Sequence, residues 1–180
     1  MSDGALTGID HLAVATKDMK STLDFYCGVL GIPLGGLFWM HGVEGAVHAF
    51  LTFPDGRMLS FIQFAEERPR QRGVTYATWA GEVMPAGTMQ HLALQVPSSE
   101  ALQGLRHRLV EHGVKVSEAI DHDFCVSVYF AGPDDVQLEV TYSTRPLDDR
   151  EFDDSACSHC GITEENLLRF RSSEIDLSTR

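Results

Sequence analysis

Polar and apolar residues alternate through two matching stretches, GIDHLAVAT (Gly8–Thr16) and TMQHLALQV (Thr88–Val96). A period of two predicts a strand with its two faces of different character. Each predicted strand carries a histidine in its middle, His11 and His91. A second pair, FPDGRMLSFIQ (Phe53–Gln63) and GPDDVQLEVTY (Gly132–Tyr142), repeats the alternation after a Pro-Asp turn. Aligned on Pro-Asp, Ser60 falls opposite Glu139. His11 and Ser60 lie 49 residues apart, His91 and Glu139 48. Matching anchors at both ends of matching intervals indicate a duplicated module.

Between the anchors the period changes from two to that of a helix. In the first copy Met19, Leu23, Tyr26 and Leu30 recur on one face and predict a helix over about 17–30, with Gly31 at its left-handed stop. In the second copy Ser98 is the expected N-cap, Leu102, Leu105 and Leu109 form the apolar face, and Gly113 is the stop. Three strands follow in each copy, the last two joined by the Pro-Asp turn. The expected fold is therefore α+β, two tandem βαβββ modules. Residues 1–66 hold the first module, 67–87 an inter-module loop placed to lie over a pocket, and 88–144 the second module. Residues 145–180 form an acidic C-terminal tail with nine acids and five arginines, expected to be peripheral and partly mobile.

Charge and composition narrow the function. The 180 residues carry a net charge of −12, with no basic stripe for phosphate contacts, which argues against a nucleic-acid partner. No apolar run has membrane-spanning length, and no basic segment followed by an apolar one opens the chain, so a cytoplasmic address is the expectation. Cys27, Cys125, Cys157 and Cys160 are then expected as thiols. Cys157 and Cys160 form a lone Cys-x-x-Cys without a second pair nearby, which reads as chance spacing rather than a zinc site.

Strand alternation sorts the candidate chemistry. His11 lies opposite in facing to Leu12 and Val14, His91 opposite to Leu92 and Leu94, and Glu139 opposite to Leu138 and Val140. Both histidines and the glutamate therefore occupy the faces not covered by the helices. A glutamate in an otherwise apolar strand needs its charge offset. If the two sheets curl toward each other, two imidazoles and one carboxylate meet, the set that suits non-heme Fe(II) with open positions, and that also serves Mn, Zn or Ni. Ser60, a poor ligand, would leave the count at three and room for substrate.

These features resemble the vicinal oxygen chelate superfamily, which includes glyoxalase I, fosfomycin-resistance transferases, bleomycin-binding proteins and extradiol ring-cleaving dioxygenases. The resemblance covers Gly8 to Ser143. It implies a cupped mixed sheet of paired βαβββ modules with His11, His91 and Glu139 as metal ligands. Glyoxalase I usually has a second carboxylate where Ser60 stands. The stretch from His122 through Val128, Tyr129 and Pro133 to Glu139 is similar to the extradiol dioxygenase signature, departing from it at Gly132 and Asp135. The resemblance thus implies a catalytic acid–base role for His122 and a substrate-orienting role for Tyr129. Those dioxygenases carry a further acid–base histidine where this chain has Met58 and Leu59. His48, on the preceding strand, is the candidate to reach the same cavity, and Met58, Ile62 and Phe64 would give an apolar wall.

The expected activity is an Fe(II)-dependent, extradiol-type dioxygenase acting on a catecholic or vicinal-diol small molecule with O₂, in a homo-oligomer. Two alternatives remain at this stage. One is a Lewis-acid metalloenzyme of the same fold, a lyase, isomerase or thiol transferase. The other is a small-molecule-binding resistance protein without catalysis.

Overall fold

A computed structural model describes residues 8–79 and 81–172. It divides into two compact units, 1–144 and 145–180. Among the described residues of the first unit eight strands form two four-stranded mixed sheets of identical plan. The first sheet comprises β1 (His11–Ala15), β2 (Leu34–Trp39), β3 (Val47–Thr52) and β4 (Met58–Gln63) in the order β1-β4-β3-β2. The second comprises β5 (Leu92–Gln95), β6 (Ile120–Asp121), β7 (Cys125–Ala131) and β8 (Gln137–Ser143) in the order β5-β8-β7-β6. In each sheet the first strand pairs in parallel with the last and the remaining pairings are antiparallel.

The register preserves the duplication to the residue. Ser60 pairs with Ala13, two positions beyond His11, and Glu139 pairs with Ala93, two beyond His91. Both strands are shorter than the alternation predicts, so His11 opens β1 and His91 directly precedes β5 rather than sitting mid-strand.

The first helix differs from its expected form. An α-helical turn, α1 (Met19–Leu23), starts at the Asp18 N-cap, whose carboxylate accepts from Ser21 N. The segment Asp24–Val29 then continues as a π-helix, with Leu30 N donating to Phe25 O across five residues. The wider turn departs from the 3.6-residue period. Met19 and Tyr26 are buried, whereas Leu23 and Leu30 are only half-buried. Gly31 and Gly113 both take the left-handed backbone (φ 78° and 76°) that ends their helices. In the second module α2 (Ser99–Glu111) is capped by Ser98 Oγ, which accepts from Ala101 N at 3.3 Å.

One continuous core joins the modules. Ala49, Leu51, Leu59 and Phe61 from the first sheet meet Val128, Phe130, Leu138 and Val140 from the second, together with Tyr26, Leu102 and Leu109 from the helical segments. Phe25 and Phe130 rings, one from each module, lie 6.4 Å apart. The Pro133–Asp135 turn completes the junction. Asp134 Oδ2 accepts from Thr16 Oγ1 at 2.7 Å and from Lys17 N at 3.3 Å. Burial raises the pKa of the Tyr26 phenol at this junction, and the Asp134 charge adds to the shift.

The second unit contains α3 (Asp154–His159), capped by Asp153, and α4 (Glu164–Ser172). Arg145 is paired with Glu151 beside a capping box at Asp148–Glu151, so this segment has its own local order. The rest of the tail, 173–180, lies outside the described residues.

Candidate functional site

The helix-facing sides of both sheets are consumed by the core; on the histidine-bearing sides the edge strands β1 and β5 are open, whereas Ser60, Ser127 and Glu139 on the inner strands are buried. His11, Ala13 and Ala15 on β1 are exposed, as are His91 just before β5 and Ala93 and Gln95 within it. Alanines are small enough to be covered by almost any packed neighbour, so their exposure marks faces that the chain itself leaves uncovered.

On the second sheet the open face is polar and organised around Glu139. This carboxyl is 6% exposed. Its Oε2 lies 3.0 Å from His91 Nε2, while Ser127 Oγ donates to its Oε1. Ser127 Oγ also lies 2.9 Å from Thr141 Oγ1. Beside this group His122 Nε2 lies 3.0 Å from the Tyr129 hydroxyl, and the Tyr129 ring stands edge-on to His91 at 6.1 Å. Burial raises the pKa of the Tyr129 phenol, and the neighbouring Glu139 charge adds to it. Four of the residues singled out from sequence, His91, His122, Tyr129 and Glu139, are thus gathered on one face of one sheet.

His11 stands on the other sheet. Its Nδ1 is 2.7 Å from Asp10 Oδ1, and its ring lies edge-on to Phe50 at 5.5 Å. The His48 ring on β3 lies 4.3 Å from the Phe50 ring and 5.6 Å from that of Phe38. The pKa of His48 is lowered, chiefly by burial and secondarily by His11. Ser60 is fully buried and shares this face, as do Met58 and Ile62; Phe64 lies beyond the end of β4 and is exposed.

Among the described residues no three His, Cys, Asp or Glu side chains are gathered as a metal site. His11 is therefore not brought to His91 and Glu139 within the chain. The pair itself suits a divalent ion. Two cis ligands with bonds of about 2.1 Å lie about 3 Å apart, and imidazole with carboxylate is an ordinary donor set. Ser127 supplies the hydrogen bond that typically orients a ligating carboxylate. Sequence reasoning passed over Ser127, Phe38 and Phe50. Alternation places them on the faces of the residues it did single out, Ser127 two before Tyr129 and Phe50 two after His48, but only the cross-strand pairing shows what they touch.

Residues 8–140 match the family described as the Glyoxalase/Bleomycin resistance protein/Dioxygenase superfamily. The chain belongs to that superfamily. Solved structures with the same fold include a glyoxylase/bleomycin resistance protein/dioxygenase domain from Frankia sp. EAN1pec, with 16% identity, TM-score 0.63, and coverage of 77% of this chain and 99% of that one. A glyoxalase family protein from Enterococcus faecalis aligns at 19% identity and TM-score 0.58 over 75% and 97% of the two chains. A mutant of the fosfomycin resistance protein FosX from Listeria monocytogenes, complexed with Mn(II) and 1S,2S-dihydroxypropylphosphonic acid, aligns at 17% identity and TM-score 0.57 over 81% and 98%. No curated protein sequence matches significantly. Within the superfamily fold the two departures from the dioxygenase signature have local causes. A Cβ at Gly132 would stand 2.8 Å from Leu138 Cδ1 and 3.2 Å from the Tyr26 hydroxyl. Asp135 adopts φ 53°, the left-handed backbone a glycine would take there and one that Asp tolerates better than most residues. No helix among the described residues is long and apolar enough to cross a membrane.

Proposed function

We propose that this protein is a divalent-metal-dependent oxidoreductase of the extradiol type, acting with O₂ on a catecholic or vicinal-diol small molecule. Its metal site would be assembled between two copies of the chain, His11 from one and His91 with Glu139 from the other. The observation that carries the proposal is the buried Glu139 carboxylate, held 3.0 Å from His91 on a face the chain leaves open. Its partner in charge is an imidazole rather than a guanidinium.

The same face supplies the other parts. A bound divalent cation would lower the pKa of a diol hydroxyl and draw both diol oxygens to one point. Ser127 holds Glu139 in place. The His122–Tyr129 pair lies ready to exchange a proton and to orient a substrate oxygen. It is this pair that favours extradiol chemistry over the purely Lewis-acid reactions open to the same fold. Fe(II) is the expected ion, with Mn, Zn or Ni compatible with the donors.

Two measurements test the proposal. Protein prepared without oxygen should contain Fe(II) and take up O₂ with a catechol; a Zn or Ni protein indifferent to O₂ would instead support the lyase, isomerase or transferase reading. Mixing inactive His11→Ala with inactive Glu139→Gln tests the shared site. A randomly re-paired homodimer restores about a quarter of the native sites, because one site of each mixed pair is intact. Recovery of no activity would place all three ligands within one chain, and ligand binding undiminished in either variant, with no turnover by the native protein, would favour a binding protein.

A further inference from the structure

Two buried polar atoms of the first sheet have no hydrogen-bond partner, His48 Nε2 and Ser60 Oγ. Both belong to the face that carries His11. Across the β3–β4 pair His48 stands opposite Ile62 and Phe50 opposite Ser60, so His48 and Ser60 are diagonal neighbours. Diagonal positions in an antiparallel pair are about 7 Å apart, with Cβ atoms somewhat closer. Side chains from both can therefore approach one ligand atom between them. Leaving such groups buried and unpaired is costly, and sites that hold a ligand are where that cost is recovered.

The surroundings define what would fit. Phe50 lies against His48 and Phe38 lies nearly parallel to Phe50, 5.9 Å away at 14°. Phe38 is 40% exposed, so the aromatic wall reaches solvent. A serine hydroxyl is uncharged, and burial favours the neutral form of His48, with His11 acting in the same direction. A neutral imidazole nitrogen and a hydroxyl together match a neutral group that both donates and accepts. A carboxylate or ammonium would remain without a counter-charge.

We propose that His48 and Ser60, walled by Phe38 and Phe50, form a specificity subsite for a hydroxyl-bearing substituent, such as a hydroxymethyl group, on a planar aromatic substrate. The inference rests on the reading that this face lines the substrate cavity, and it deepens that reading by naming what the first module recognises. His48 would act here through contact with a part of the substrate away from the reacting oxygens.

The test reads the subsite directly and separately from turnover. Intact protein labelled with ¹⁵N-histidine is titrated with benzyl alcohol and, in parallel, with toluene. The His48 Nε2 resonance is assigned by its disappearance in His48→Gln. Benzyl alcohol should move that resonance saturably and toluene should not. Ser60→Ala, a near-isosteric change whose folding is checked by circular dichroism, should weaken benzyl alcohol binding about tenfold. An unmoved resonance, an equal response to toluene, or undiminished binding to Ser60→Ala would overturn the subsite. Absence of metal or of O₂ uptake would overturn the catalytic proposal while leaving these titrations intact.

Discussion

At the residue scale, the buried Glu139 is kept by a small number of specific contacts. His91 faces one oxygen and Ser127 donates to the other, with Thr141 beyond Ser127. Ser127→Ala would leave a carboxylate in place with one hydrogen bond fewer. We expect a loss of about 1–3 kcal/mol in urea unfolding. If Glu139 ligates an ion, the same substitution should also weaken metal binding about 10- to 100-fold, as measured by competition with a chelator. Thr141→Val, one step further out, should affect both less. The glutamate and its histidine were legible in the sequence because strand alternation put both on the uncovered face. Ser127 was not singled out, because one serine among alternating strand residues carries no signal until its neighbour across the pair is known.

At the element scale, the duplicated strand–helix–three-strand order was readable from spacing alone, and so were the helix stops at Gly31 and Gly113. The π-helical continuation Asp24–Val29 was not. Its apolar residues fit an ordinary helical face, so their spacing carries no sign of the wider turn. The turn between β7 and β8 is the opposite case, where sequence departures acquired a reason. Gly132 is required by close approach rather than by backbone freedom, since its φ of −86° suits any residue. Gly132→Ala should therefore destabilise by about 1–3 kcal/mol through overpacking against Leu138 and Tyr26. Thermal unfolding would measure this. Gly132→Ala combined with Leu138→Ala should cost less than the two changes summed, because the second removes the clash.

At the scale of the whole molecule, the sequence identified an apolar and a polar face on each sheet but left open how the faces would be paired. Alternation says which side avoids water; it does not say which apolar surface covers which. Here the helix-facing sides of both modules close over one core, and the polar sides that carry His11 and His91 remain outside it. With such a core, the covalent link between the modules is expected to be expendable. The connecting stretch contributes Ala77 to the buried set, but the described core cluster is drawn from the modules on either side. Cutting the backbone within residues 66–72 should yield two fragments that copurify as one folded particle and separate only in denaturant, whereas either fragment produced alone should aggregate with its half of the interior bare. A chain built by repetition would then have traded the independence of its halves for a shared interior, so that a substitution at Phe25 could be compensated at Phe130.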